Sequence, residues 1–314
     1  FLRRSVSSVL GQTGETGPLE VVVVKDFEDP FVDGLAVEGR INSLILPSGS
    51  VGEFLARGVA VCRGDVICFL DDDDVFAPTK LSEVRRVFAA DSSVVYLHNG
   101  MQLRYDDGRP ARGLFHQKTA RDLLIDVDNH RQEAVERAFS LSLPINLSSV
   151  SVRRSVLLEH MDTLRTISGS TDYFCFYAAL SSRSRLRFSS RVLTTYYIHS
   201  SALRPAGVDQ EGARALQRLS RDQTHIHSWG ASLAELGEAR TVATSMLTEF
   251  EFLAKVIEPT SRRDLVRIYS RLATATLALR PLVVALATPI FLAGVVSRRL
   301  ALTLLLVGRQ VVRD

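Results

Sequence analysis

The amino-acid sequence predicts an open α/β domain followed by a basic, mostly helical tail. Three observations carry this. Two largely apolar runs, LEVVVV and VICFL, are separated by segments of helical period. Four consecutive aspartates stand directly after the second run. Beyond Pro259 nine arginines sit among apolar stretches, against only Asp264 and Asp314. Strand–helix alternation of this kind builds a sheet covered by helices, whose ligands bind beyond the carboxyl ends of the strands.

Each element has its own reason. Phe1 to Gln12 reads as a helix with Leu2, Val6, Val9 and Leu10 on one side. Leu19 to Val24, between Gly17-Pro18 and Lys25-Asp26, has the continuous apolar character of a parallel strand buried on both faces. Glu53 to Cys62 is helical, and Val66 to Leu70 is a second buried strand, expected at the centre of the sheet. Pro78 admits a helix over Thr79 to Ala89, and Val94 to Leu97 is a further strand. Within the long segment from Asp106 to Pro144, ARDLLIDVDNHRQEAVERAF has helical period and mixed charge.

The bulk figures bound the function. The 314 residues, 46% of them hydrophobic, allow one large domain or two ordinary ones. Cys62, Cys68 and Cys175 form no CxxC pair and have apolar neighbours, which fits reduced, buried thiols in a cytosolic compartment. Apolar residues separate the arginines of the tail, so its charge suits a membrane surface and not a nucleic-acid groove. No GxGxxG or P-loop occurs; GQTGETG has the wrong spacing.

The run DDDD, residues 71 to 74, is placed where the architecture binds its ligand. In extended backbone Asp71 and Asp73 point one way, Asp72 and Asp74 the other. Adjacent carboxylates raise one another's pKa unless a cation is bound. Oxygen-only ligands suit Mg²⁺ or Mn²⁺, which also hold substrate phosphates. EF-hand spacing fails, because Phe76 or Ala77 falls where the turn glycine belongs. A solvated acidic turn is the plain alternative.

LRRSVSSVLGQT, LEVVVVKD, GVAVCRGDVICFLDDDDVFAPTKL and NLSSVSVRR resemble successive blocks of the family 2 glycosyltransferases, over Leu2 to about Ser201. The resemblance implies the GT-A fold, a Rossmann-like, mainly parallel mixed sheet flanked by helices, as the catalytic domain over 1–205. It implies that Asp73, with Asp71, holds a metal bridging a nucleotide-sugar diphosphate. Asp71 and Asp72 would also contact the donor, and Asp26 the nucleotide base. SGSTDYFCFYAAL resembles the family's acidic motif, which makes Asp172 the general base. A carboxylate there would take the acceptor's proton as oxygen attacks the anomeric carbon, inverting it; the plain alternative is that Asp172 caps a helix. TTYYIHSSALRP resembles the segment after the last core strand, where His199 would be a further metal ligand. In QTHIHSW, Gln223, His227 and Trp229 resemble an acceptor-side motif that usually contains an arginine. The family's first strand is expected ahead of Phe1. Leu55 and Ala56 stand where Arg-Asn is usual. The segment 106–144 is expected to be an insertion, either an acceptor lid or a surface excursion.

Residues 206–263 read as amphipathic, interfacial helices, with Leu233 to Ile257 continuous. Residues 264–314 contain two apolar runs shorter than a normal span. They are expected as short tilted membrane helices or a monotopic platform, with a buried helical pair as the alternative. The joint expectation is a membrane-associated enzyme with a cytoplasmic catalytic domain. It resembles archaeal cellulose-synthase-like mannosyltransferases, which implies GDP-mannose (or a UDP-sugar) as donor, Mn²⁺ or Mg²⁺, and a dolichyl-phosphate-linked acceptor. A membrane-anchored scaffold that binds a nucleotide or glycan without turnover is the alternative from another class.

Overall fold

The computed structural model describes residues 1–111, 122–126, 131–140, 143–198, 210–258, 260–297, 300–302 and 304–305. The chain divides into two compact units, Phe1–Ile198 and His199–Asp314.

The first unit begins with α1 (Leu2–Leu10), β1 (Val22–Lys25), α2 (Pro30–Val37), β2 (Asn42–Ile45), α3 (Val51–Val61) and β3 (Val66–Cys68). Strands β1 and β2 pair in parallel, Val22 opposite Asn42, the geometry that a helical crossover permits. Local chemistry sets the helix starts. The Asp29 carboxylate accepts the Val32 N–H ahead of Pro30, and Ser50 with Glu53 forms a capping box at α3. The chain continues through β4 (Val75–Phe76), α4 (Lys80–Ala90), β5 (Val94–Tyr105), β6 (Leu123–Asp126), α5 (Arg131–Ser140), β7 (Val150–Arg153), α6 (Arg154–Glu159), α7 (Met161–Thr166), α8 (Thr171–Ser181) and β8 (Arg185–Ile198).

These strands form a six-stranded sheet in the order β3-β7-β5-β8-β4, with β6 also on β8. Its spine is the long parallel pair β5–β8, from Val94 opposite Arg185 to Tyr105 opposite Ile198. Helix α8 is buried from Tyr173 to Leu180. Its Phe176 ring meets those of Tyr96 at 6.0 Å, Phe188 at 6.0 Å and Phe139 at 5.4 Å. Burying one such ring contributes about 2–3 kcal/mol relative to exposing it.

Several expectations change. The strand ahead of the aspartates is an edge strand, not a central one: β3 has three residues and pairs antiparallel with β7. The sheet is mixed as expected but not mainly parallel: among the described residues β5–β8 is its one parallel pair, while β1 and β2 form a separate two-stranded parallel sheet. LLID, expected to be helical, is strand β6, antiparallel to β8 through Leu123 opposite Phe188; only Ile125 of the four is buried, the pattern of an outer strand. β5 runs far beyond Leu97. It survives its irregularity at Gly100 because glycine lets the Ser190 carbonyl approach to within 2.9 Å of where a Cβ would lie.

Among the described residues β1 and β3 have no partner on the edges that face each other. Their starts are tied, since the Arg63 N–H donates to Glu20 Oε2 at 2.8 Å. Between them lies a cavity of about 490 Å³, lined by Val22, Val24, Ile67 and Phe69. α1 closes one side of it through Ser5 and Val9, while Asp26 and Asp71 stand at its carboxyl end.

The second unit contains α9 (Gln210–Ser232), α10 (Arg240–Ile257), α11 (Arg262–Thr276) and α12 (Pro281–Val296). Leu216, Phe252, Val256, Leu265, Ile268 and Leu272 share its core. The helix expected to run unbroken from Leu233 is interrupted at Gly237, whose φ of 54° and ψ of −126° no helix accommodates. Among the described residues no helix is long and apolar enough to cross a membrane; much of the second apolar run expected over 264–314 lies outside the described residues. α12 has 16 residues, about 24 Å of helix against a hydrocarbon core of about 30 Å. It leaves Leu282 69%, Leu286 62% and Val296 75% exposed.

Candidate active site

The acidic run does not continue as extended chain. The Asp74 N–H donates to the Asp71 carbonyl at 3.3 Å, closing a turn over Asp72 and Asp73, after which β4 pairs with β8. The alternating-face geometry expected for the four aspartates is thereby overturned. The start of α1 holds this turn. Ser5 Oγ lies 2.7 and 2.6 Å from the carbonyl oxygens of Asp72 and Asp74. Arg4 donates to the Asp73 carbonyl at 3.0 Å and lies over the Tyr197 ring at 3.6 Å. At the other end of α1, Gln12 donates to the Ala77 carbonyl and accepts the Leu81 N–H, each at 2.8 Å. The block LRRSVSSVLGQT is thus a clamp on the acidic turn.

The four carboxylates have different environments. Asp72 is exposed, and Asp71 and Asp73 are half-buried. Asp74 is fully buried and accepts the Tyr197 N–H at 3.2 Å. Burial, together with Asp74, Asp73, Asp172 and Asp72 in that order, pushes Asp71 up to about 8. The neighbouring Lys80 ammonium is fully buried, and that burial pushes it down to about 7.

Asp172 stands in the first turn of α8 and is half-buried. It is not the cap. Ser170 holds that position in a left-handed conformation, while the Asp172 carboxylate accepts the N–H groups of Asn146 at 3.0 Å and Tyr173 at 2.8 Å. Burial raises its pKa, against the lowering effect of those N–H donors. Asp172 lies close enough to Asp71 to raise that group's pKa, so the structure brings these two predicted residues together. Asp26 follows β1 directly, is exposed, and lines the same cavity as Asp71 and Asp72.

Among the described residues no three Asp, Glu, His or Cys side chains converge as a ready-made cation site. The donor chemistry nonetheless fits Mg²⁺ or Mn²⁺, which take one or two carboxylates and complete their shells with substrate phosphate and water. Asp71 and Asp73 would hold such an ion. His199 lies outside the described residues.

Of the acceptor-side residues, Gln223 and His227 are buried within the helical unit. The His227 ring stacks on Phe250 at 5.5 Å, and burial pushes its pKa down to about 3. A bundle position of this kind gives neither side chain access to a substrate. Trp229, further along α9, is half-buried.

Four residues that matter escaped the sequence reading: Arg4, Asp74, Lys80 and Ser148. Asp74 and Lys80 lie inside quoted motifs, but nothing local says that they are wholly buried. Ser148, in a short 3₁₀ turn over Leu147–Ser149, accepts the Asp71 N–H at 2.9 Å across 77 residues of sequence.

Residues 1–130 match the profile described as Glycosyl transferase family 2. An uncharacterized glycosyltransferase of Nostoc sp. is 29% identical over 105 residues, 32% of this chain and 32% of that protein; the match spans about a third of that relative's length. The fold resembles that of S. aureus TarS, residues 1–349. In the crystal structure with UDP the identity is 15% and the TM-score 0.60, covering 99% of this chain and 88% of that one. In the complex with UDP-GlcNAc the values are 14%, 0.59, 99% and 88%. Residues 1–130 therefore resemble the family 2 glycosyltransferases, on a chain with the fold seen in TarS.

Proposed function

We propose that the protein is an inverting glycosyltransferase that moves a sugar from a nucleotide diphosphate to an acceptor oxygen. The carrying observation is the run of hydrogen bonds that links Asp71, through Ser148 and Asn146, to Asp172, beside a cavity lined by Asp26 and Asp71. Asp26 and Asp72 bind the nucleoside, and Asp71 and Asp73 bind Mn²⁺ or Mg²⁺. When bound, the ion offsets charge on the departing diphosphate. Asp172, held by two N–H donors and raised by burial, accepts the proton of the acceptor hydroxyl as it attacks the anomeric carbon. A phosphate acceptor is already ionised and makes no such demand on Asp172.

For the donor, the TarS complexes with UDP and UDP-GlcNAc favour a uridine nucleotide; GDP-mannose, with mannosyl transfer, is the competing assignment. For the acceptor, the arginines of α11 and the exposed leucines of α12 favour a lipid-linked molecule met at an anionic membrane surface, where the second unit lies on the bilayer without crossing it.

Thermal unfolding in the presence of UDP, GDP, UDP-GlcNAc and GDP-mannose, each with and without Mn²⁺, tests the donor site. Saturation a hundredfold above Kd stabilises the folded state by about 2.7 kcal/mol. One nucleotide that stabilises only with metal, with the effect lost in Asp73→Ala, supports the reading and identifies the base. No shift with any pair overturns it.

A further inference from the structure

The buried ammonium of Lys80 has no part in the chemistry described so far, yet everything around it leads to the two catalytic carboxylates. Its side chain is fully buried against the Phe76 ring at 3.9 Å. Nζ donates to the Ser148 carbonyl at 2.5 Å and to Thr194 Oγ1 at 3.2 Å. Thr194 Oγ1 in turn donates to the same carbonyl at 3.1 Å and accepts from Asn99 at 3.0 Å. One backbone oxygen thus receives a cation and a hydroxyl, a costly arrangement to bury unless the geometry it fixes has a use.

What it fixes is a short bridge. The three polar groups of Ser148 face three directions: its carbonyl to Lys80, its hydroxyl to the Asp71 N–H at 2.9 Å, and its N–H to Asn146 Oδ1 at 3.1 Å. Asn146 then donates its own N–H to Asp172 Oδ2 at 3.0 Å. Asn146 has a φ of 85°, a conformation that asparagine tolerates better than most side chains. Asp71 and Asp172, 101 positions apart in sequence, are therefore joined through two residues pinned from beneath by one cation.

We infer that Lys80 is a positioning residue: by holding Ser148 it sets the catalytic carboxylate of Asp172 in register with the donor-binding Asp71. This rests on the glycosyl-transfer reading above for its kinetic consequences. The bridge itself is tested without turnover.

Three variants separate the arms, each measured for donor KM, kcat and amide hydrogen exchange over residues 145–149. Lys80→Met keeps the length and removes the cation. Asn146→Gly keeps the backbone N–H to Asp172 and the positive φ, and removes the side-chain link to Ser148 together with the Nδ2 contacts to Met101 and Ser149. Ser148→Ala cuts the link to Asp71 and leaves the carbonyl on Lys80. Lys80→Met and Asn146→Gly are expected to speed exchange in this turn and to lower kcat about a hundredfold, the cost of a roughly 1 Å misplacement, with donor KM nearly unchanged. Ser148→Ala is expected to raise donor KM instead. Combined with Asp172→Asn, Lys80→Met is expected to add little further loss, as residues acting through one another do. Fully additive losses, or a Lys80→Met enzyme with wild-type kcat, overturn the positioning role. If Lys80→Met fails to fold, the other two variants decide by the same split. If the wild type turns over no nucleotide sugar, the glycosyl-transfer reading fails. Exchange then decides the bridge alone: unchanged protection at 145–149 in Asn146→Gly overturns it.

Discussion

Acid is expected to loosen the turn beside Asp172 through a single buried histidine. His98 on β5 is 1% exposed and its Nε2 lies 2.8 Å from the Ile145 carbonyl, an acceptor that requires the proton on that nitrogen. Burial pushes its pKa down to about 4, and Lys80 adds to the depression against the opposing hydrogen bonds to Ile145 and Asn99. The unfolded chain, with an ordinary histidine near 6.5, takes up a proton first as the pH falls. His98 therefore contributes stability that is complete above about pH 6.5 and is lost as the pH falls towards 4. The full loss is about 3 kcal/mol, and by pH 5.5 it is about 1.4 kcal/mol, or tenfold in an opening equilibrium. Asp71 and Asp74 act in the opposite direction. Their pKa values are raised to about 8 and about 7, so the folded state takes up protons there first and gains stability over the same fall. A comparison with His98→Gln, which retains an N–H donor towards Ile145 without the titration, isolates the histidine. Amide exchange over residues 94–105 and 145–149, corrected for intrinsic rates, should quicken about tenfold more in the wild type than in His98→Gln between pH 7.5 and 5.5. Equal pH dependence in the two proteins, within a factor of two, refutes the reasoning.

Three further outcomes are expected. Asp172→Asn should bind nucleotide with wild-type affinity while transfer to an acceptor hydroxyl falls by about 10²–10⁴; titration calorimetry and a diphosphate-release assay measure the two, and retained transfer would point to an acceptor already ionised. A five-residue β-branched segment fused ahead of Phe1 through a short turn should enter the cavity between β1 and β3 and raise the first unit's Tm by about 4 °C, because Arg4 and Ser5 hold the start of α1 at the mouth of that cavity; an unchanged Tm, with the segment open to protease, contradicts this. The protein should sediment with vesicles containing anionic lipid and be released by salt, and Leu286→Asp on the exposed face of α12 should weaken that binding severalfold; equal binding to neutral vesicles would rule out the arginines as the attraction.

Local signals were legible, and long-range ones were not. The helix at Leu2–Leu10, the parallel strand ending at Lys25 and the helix opened by Ser170–Thr171 follow from periodicity, β-branching and capping, all read within a dozen residues. The place of β3 in the sheet does not follow, because its apolar side chains fit an edge and a centre alike; only its pairing with β7, some 85 residues further on, distinguishes them. The same limit applies at the site. Four aspartates after a buried strand announce a ligand, and a carboxylate at the start of α8 is a reasonable base. Their relative placement depends on Lys80, Ser148 and Asn146, whose partners lie 26 to 114 residues away.

Such distances also explain why the acidic turn is clamped so heavily. Carboxylates this close repel, and Arg4, Ser5 and Ser148 hold the backbone of the turn, while the Tyr197 N–H holds the buried Asp74 carboxylate. A site organised through backbone contacts tolerates a change of charge on binding, whereas one organised by ion pairs between the aspartates and basic side chains would have to break them first. The nucleotide panel distinguishes these cases: if the backbone clamp is sufficient, Mn²⁺ alone should leave amide exchange at residues 71–74 unchanged, and protection there should rise only when nucleotide joins the metal.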